Sequence, residues 1–404
     1  MRRRGFVVAA IILALAAQAG YGAGFGIYEG SARGNALGGT TVARDADPST
    51  LYFNPAGMTQ LEGLQMEAGA TFIAPATKVE TISPFGIDST ETEDNAWIPP
   101  HVYSTYQMND SIWLGMGIYS RFGLGTEFEE DWPGRYNSYK AVIQSLNFNP
   151  DVALKVNDQL SVAAGVSAVW FDMDLRQKIP NPAGAGPDMD LQLTGDSVGY
   201  GFNLGLRYEL TKQVALGLGY QSEVDQDVEG DANLHVARTD ASGDITLPQM
   251  AFGGVSFEPN DKLSIEVGAT FTGWSSYDEL AIEFENPMLL GPEAVIEKDW
   301  EDVWRYQAGV EYALNDQWVL RAGYVYDQEP IPNDTVDYLV PADDRQLYSV
   351  GCGYKWSDWT LDLSYTYLDI HDRHIHARPE DGIWDSEATC GDSHLVGVSL
   401  STKL

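Results

Sequence analysis

The run VGYGFNLGLRYEL, Val198–Leu210, alternates over its whole length. Val198, Tyr200, Phe202, Leu204, Leu206, Tyr208 and Leu210 share one face of an extended chain, and Gly199, Gly201, Asn203, Gly205, Arg207 and Glu209 share the other. A period of two is a strand, and a thirteen-residue strand with one apolar face is long enough to cross a bilayer. The same parity recurs downstream. Trp318, Leu320, Ala322, Tyr324 and Tyr326 oppose Val319, Arg321, Gly323 and Val325, while Trp359, Leu361, Leu363, Tyr365 and Tyr367 oppose Thr360, Asp362, Ser364 and Thr366. Lipid demands an apolar outer face on strand after strand, whereas a lumen tolerates polar side chains, and aromatics at the ends of the apolar faces match the two interfacial girdles.

Outward from this run, short polar turns recur at Asn109-Asp110, Asn157-Asp158, Thr211-Lys212, Asn260-Asp261, Asn315-Asp316 and Ser357-Asp358, at intervals of 42 to 55 residues. Each interval holds two strands and one long acidic loop, such as Gln177–Thr194 or Glu329–Asp344. Six tight turns and seven long loops give an all-β transmembrane barrel of fourteen antiparallel strands, with both chain ends on the tight-turn, periplasmic side. The strands are expected to begin near Leu64, Trp97, Ser111, Lys140, Gln159, Asp196, Gln213, Leu247, Lys262, Asp299, Gln317, Arg345, Trp359 and Ser393. An export leader fits the first 22 residues: Arg2, Arg3 and Arg4, then an apolar stretch from Phe6 to Ala17 that is too short to span. The formal charge of −35 excludes nucleic-acid binding by phosphate neutralisation. Two cysteines, Cys352 and Cys390, make no disulfide scaffold, and their expected positions at opposite ends of the barrel argue against a bridge.

Residues 23–62 read differently from the strands of 63–404. They are rich in small residues, and Asp47-Pro48 and Asn54-Pro55 each place a capping side chain before a proline in a first helical turn. This stretch is expected to be a partly helical hatch enclosed by the barrel, with Asn54, Pro55 and Ala56 at its centre. Together with Gly24-Phe25, Gly34-Asn35-Ala36, Ala96-Trp97-Ile98-Pro99, Phe122–Phe128, Trp132–Tyr136, Leu247-Pro248, Trp274-Ser275, Pro330-Ile331-Pro332 and Pro341–Arg345, it resembles the outer-membrane transporters of long-chain fatty acids and other hydrophobic compounds (FadL/TodX type). One departure is the C-terminal Thr402-Lys403-Leu404, where that family usually ends on an aromatic. The resemblance implies a monomeric, hatch-plugged barrel in the cell outer membrane. It also implies passive uptake through an apolar pocket above the hatch, release after a hatch shift, and lateral exit at a kinked third strand.

Candidate residues follow from parity and from that resemblance. Val169, Phe171, Met173, Leu175, Trp274, Val325, Leu368 and Ile370 point inward where a water-filled porin would be polar, and are read as an apolar pocket wall or as packing for infolded loops. Arg305 points inward at this level, with Arg176 and Lys178 at the rim, and each could meet a carboxylate. Gly117, Phe122, Gly123, Leu124 and Gly125 are expected at the lateral gate, and Gly115 lies just below them. Glu266, Glu311, Arg321, Lys355, Asp362 and Arg207 form a charged belt in the lumen, with Arg33, Arg44, Asp45 and Asp47 as partners in the hatch. His371, His374 and His376, with Asp369 and Asp372, form a cluster in which His374 and His376 share a face; it is read as a solvated strand end, with metal binding the alternative. The acidic loops are read as binders of divalent cations at the lipopolysaccharide surface or as a sign of a salty habitat. No nucleophile elbow, phosphate loop, metal site or cofactor is assigned. Long-chain fatty acids are the first expected cargo and aromatic hydrocarbons the second. A general porin and a surface receptor are the rival classes.

Overall fold

The structure is a computed structural model, and it describes residues 24–84, 86–181, 186–234, 237–287, 291–390 and 393–404. The expected leader lies outside the described residues, as does Ala23. Fourteen antiparallel strands close on themselves. They are β1 Leu64–Ala74, β2 Pro100–Gln107, β3 Ile112–Tyr119 with its continuation Gly123–Glu127, β4 Lys140–Lys155, β5 Leu160–Ile179, β6 Met189–Thr211, and β7 Val214–Gln221 continued by Val224–Asn233. The circuit goes on through β8 Arg238–Leu247 and Met250–Asn260, β9 Leu263–Thr272 and Glu279–Phe284, and β10 Glu293–Glu297 and Val303–Ala313. It ends with β11 Trp318–Asp327, β12 Arg345–Trp356, β13 Trp359–Ile370 and β14 Ser393–Lys403. Closure runs from Gln65 against Lys403 to Ala74 against His394.

Side-chain parity follows the bilayer. On β6, Val198, Tyr200, Phe202 and Leu204 are exposed, whereas Asn203 and Arg207 are buried. Trp304, Tyr306, Tyr324, Tyr348 and Tyr365 add exposed aromatics on β10 to β13. Exposing such residues to water would cost heavily, whereas lipid takes them without penalty. Several strands run further than the alternation suggested. Strand β6 begins at Met189 rather than near Asp196, and β8 begins at Arg238, breaks at Pro248-Gln249 and resumes at Met250 instead of starting near Leu247. Beyond the bilayer a strand needs no apolar face, so its extension leaves no hydrophobic signature.

Three neighbouring strands break at one height. Pro248 interrupts β8, a 3₁₀ turn at Trp274–Ser276 interrupts β9, and Lys298–Asp302 interrupts β10. The breaks release Trp274, Tyr277 and Trp300 from the alternation of the wall, and all three are buried. The long loops also make a separate four-stranded sheet from Thr77–Ser83, Gly86–Glu91, Arg373–Ile375 and Asp385–Cys390. Cys390 therefore belongs to this outer sheet and not to the end of β14, as expected from sequence. Cys352 is a free thiol.

Gly24–Leu61 lies within the barrel and is almost wholly buried. It forms α1 Ala32–Ala36, α2 Thr50–Phe53 and a 3₁₀ turn Pro55–Gln60. The Ser31 hydroxyl accepts from Gly34 N at 2.9 Å and caps α1. Asp47 accepts from Ser49 N at 3.0 Å ahead of α2, and Asn54 accepts from Ala56 N at 3.2 Å ahead of the 3₁₀ turn.

Candidate functional site

The wall has a break at β3. Up to Tyr119, which faces His101, β3 pairs with β2; above that point no described residue of β3 pairs with β2. Pro99 and Pro100 lack the N–H groups that would continue the ladder. Trp97 occupies the space instead, so closely that a Cβ on Gly125 would sit 2.1 Å from its indole. The freed backbone finds two substitutes. The Ser145 hydroxyl on β4 donates to Phe122 O at 2.7 Å and accepts from Phe122 N at 3.0 Å. The N-terminal segment supplies the rest: Ile27 N donates to Arg121 O at 2.7 Å, and Gly123 N donates to Phe25 O at 2.8 Å. Phe25–Ile27 thus acts as a short extra strand laid on the broken edge. Phe122, Gly123, Leu124 and Gly125 lie at the break, and Gly117 lies below it, paired on both sides with Tyr103 and Asn149. Gly115 makes room for Leu51 and Met58.

The side chain of Phe25 is held by the residues that the three strand breaks turn inward. Its ring centroid is 4.6 Å from that of Trp274, 5.6 Å from Trp300, 5.7 Å from Tyr277 and 6.0 Å from Phe122. Gly24 has φ +57°, and a Cβ there would meet Trp300 at 2.5 Å, so the approach requires glycine. Beside Phe25 lies a narrow apolar cleft of about 20 Å³ lined by Leu124, Phe171, Met173, Leu175, Leu280 and Lys298. It continues into a cleft of about 30 Å³ through Met173, Ile245 and Leu280, and into one of about 100 Å³ through Leu175, Leu280 and Leu339. The last reaches Arg176, Phe284 and Ile296 among the long loops. The three make one apolar line from the loops to Phe25.

Each cation along this line has an acidic partner. Arg176 pairs with Asp174 at 2.8 Å, Lys178 with Glu130 at 2.7 Å and Asp190 at 3.3 Å, and Lys298 with Asp337. Burial alone would depress the Lys298 ammonium, but Asp337 overrides it and holds the group above its usual range. Arg121 makes no ion pair among the described residues. It donates to Pro248 O at 3.2 Å and lies over the Phe122 ring at 5.1 Å, leaving its Nε without a partner.

The polar seat of the N-terminal segment lies below. Arg33 reaches Glu311 at 2.9 and 3.0 Å and Asp47 at 3.3 Å, while Arg321 joins Glu311 at 2.6 Å to Asp362 at 2.5 Å. Glu266 accepts from the backbone N–H groups of Val42, Ala43 and Arg44 at 2.9, 3.2 and 2.8 Å, with the Arg44 guanidinium 3.6 Å away. Asn54 donates to Val42 O at 2.8 Å and Leu206 O at 2.9 Å, which ties the Asn54-Pro55-Ala56 turn to β6. Arg207 donates to Ala43 O at 3.0 Å, and Lys355 stands exposed near the short-turn rim, away from this network.

The expected pocket residues divide into three groups. Phe171, Met173 and Leu175 line the cleft, and Trp274 backs it through Phe25. Arg305 is bound to Asp327 at 2.8 Å and lies over Tyr28 at 4.3 Å, and Val325 packs beneath Gly38, so both meet the N-terminal segment. Val169 is buried where Gln226 donates to its carbonyl, and Leu368 and Ile370 are buried on β13 opposite Leu347 and Arg345. Sequence reasoning did not assign Ser145, Arg121, Leu280 or Lys298. Gly195-Asp196-Ser197-Val198-Gly199 spells a Gly-x-Ser-x-Gly pattern, but it runs mid-strand in β6, and Ser197 donates to Gln226 at 2.8 Å instead of standing on a nucleophile elbow.

The fourteen-strand barrel has counterparts among known proteins. The family model described as outer membrane protein transport protein (OMPP1/FadL/TodX) matches residues 13–402. The chain belongs to this family. Among relatives of the OMPP1/FadL/TodX family, the long-chain fatty acid transport protein of Salmonella typhi is 27% identical over 432 residues, covering 97% of each chain. That of Escherichia coli K12 is 26% identical over 441 residues, with the same coverage. Among solved structures, a Pseudomonas aeruginosa FadL homologue superposes with TM-score 0.83 at 21% identity, covering 94% of this chain and 99% of that one. The Pseudomonas putida toluene transporter TodX superposes with TM-score 0.73 at 19% identity, covering 95% and 99%. FadL/TodX members are outer-membrane β-barrels, and this chain shares that fold.

Proposed function

We propose that the protein takes up long-chain fatty acids by passive transport, with Gly24–Leu61 as a hatch and the β3 break as a lateral exit. One observation carries the reading: the apolar line ends on Phe25, whose own backbone closes the break. An occupant of the inner cleft touches the segment that blocks the way out. Displacing Phe25 would withdraw the hydrogen bonds to Arg121 and Gly123 together. The cleft is elongated, and it carries a cation at each end, Arg176 at the mouth and Lys298 inside. That suits an alkyl chain with an acidic head better than a compact arene. The carboxylate would take the place of Asp337 at Lys298, or satisfy the open Nε of Arg121 once Phe25 has moved. A lumen filled by Leu51, Tyr52, Phe53 and Met58 argues against a water-filled porin.

The test is uptake of labelled oleate against labelled toluene in cells with and without the protein, and with Gly24–Tyr28 deleted. The reading predicts protein-dependent oleate uptake that falls in the deletion variant while the barrel still folds. Toluene uptake without oleate uptake would move the cargo to hydrocarbons, and oleate uptake unaltered by the deletion would end the hatch reading.

A further inference from the structure

The outer sheet brings together four metal-ligating side chains that the transport reading leaves unused. Within it, Arg373–Ile375 runs antiparallel to Asp385–Cys390 with His374 directly across from Glu387. Parity puts His376, two residues beyond His374, on the same face, and Asp385, two residues before Glu387, there as well. Burial agrees: Arg373, Ile375, Ser386 and Ala388 on the opposite face are buried, whereas His374, His376 and Glu387 are exposed. His374 Nε2 lies 3.0 Å from Asp385 Oδ1, and the two imidazole centroids are 4.6 Å apart. Ligand atoms of His374, His376 and Asp385 all fall within 4.8 Å of one another.

A second feature points to a cation. On the next strand Glu80 pairs directly with Glu387, so two carboxylates face each other across the ladder. Like charges in that position are destabilising. The nearby Lys78 is opposite Glu91, one row away.

We propose that His374, His376 and Asp385, with Glu387 beside them, bind one divalent transition-metal ion of the Zn2+ class at the long-loop surface. Two imidazoles and a carboxylate select Zn2+, Cu2+ or Ni2+ over the hard cations Ca2+ and Mg2+, which take oxygen ligands. Bond lengths of about 2.0–2.2 Å require ligand atoms to close to roughly 3.3 Å, a rotation that exposed side chains on a paired ribbon can make. The ion would offset the Glu80–Glu387 repulsion and clamp the hairpin that packs against the first long loop.

The experiment is calorimetric titration of ZnCl2 into the full-length mature protein in detergent, with excess CaCl2 present to occupy exposed carboxylates. One saturable Zn2+ per chain is expected, and His374→Ala and His376→Ala should each weaken it at least about 10–100-fold. Glu387→Gln should weaken it less, and His394→Ala on β14 should leave it unchanged. Gel mobility of the unheated barrel verifies folding of each variant. No saturable Zn2+ binding by the native chain, binding retained in the His374→Ala/His376→Ala double variant, or displacement of Zn2+ by the CaCl2 would each overturn the proposal.

Discussion

Glu266→Gln tests whether the N-terminal segment is held by polar contacts that can let go. The Glu266 carboxylate is fully buried and receives three backbone N–H groups, from Val42, Ala43 and Arg44, at 2.8 to 3.2 Å. Its charge is matched by Arg44 at 3.6 Å. A glutamine keeps the shape but removes the charge, turns one acceptor into a donor facing an N–H, and leaves Arg44 buried without an acid in contact. Removing one partner of a buried pair costs about 3–5 kcal/mol, and the lower figure is apt because Arg44 also donates to Thr40 O and Gly309 O. The loss falls on the docking of the segment and spares the strand ladders. At about 1.4 kcal/mol per decade, 3 kcal/mol raises local opening roughly 150-fold. Hydrogen exchange followed by mass spectrometry reads this directly: amides 42–44 should exchange about two orders of magnitude faster, while β13 peptides keep their protection. A change below about tenfold at 42–44, or an equal loss in β13, would refute the reasoning. Arg44→Gln combined with Glu266→Gln should recover part of the loss, because removing both charges costs less than stranding one.

Other substitutions probe the same architecture. Gly205→Val would place a Cβ 2.6 Å from Asn54 Oδ1 and 2.8 Å from Ala56 N, an overpacking of about 1–3 kcal/mol, and should raise ion conductance in planar bilayers without unfolding the barrel. Ser145→Ala strips the Phe122 N–H and C=O of their shared partner at about 1–3 kcal/mol for a stranded polar group, and should hasten exchange at residues 121–123 alone. Burial pushes the Glu329 carboxyl, in the loop after β11, up to about 8 against the pull of Arg345 and Arg373. The folded state therefore holds its proton, so its contribution is complete below the unfolded value near 4.5 and is lost as pH rises through about 8. Proteolytic nicking of loop 328–344 should accelerate as pH rises from near 4.5 to about 8 and level off above it in the native chain, and Glu329→Gln should flatten that profile.

What the sequence reveals tracks what side chains alone can encode. The bilayer demands an apolar outer face, so β6, β11 and β13 are visible as alternation, and the Asp47-Pro48 and Asn54-Pro55 pairs announce their turns because a cap needs a particular side chain. The inward charges are legible too, and Glu311, Arg321, Asp362 and Arg33 do meet. Parity stops at direction, however. Arg305 points inward, but its neighbour is set by where Tyr28 and Asp327 come to rest, a matter of how the enclosed segment lies. The seal at β3 is harder still to read, because it is made of main-chain groups of Phe25, Ile27, Arg121 and Gly123 that every residue but proline carries. Ser145, which completes it, looks like any inward serine. The same limit explains the histidines: His374 and His376 share parity in the sequence, but Asp385 and Glu387 join them only through the register of a hairpin built in an acidic loop. Contacts that depend on register and main-chain geometry are therefore where function in this barrel is least visible in sequence. For the exit proposed above, a main-chain seal opens by moving one short strand and lifting Phe25 from Phe122, Trp274, Tyr277 and Trp300, without parting any two strands of the wall.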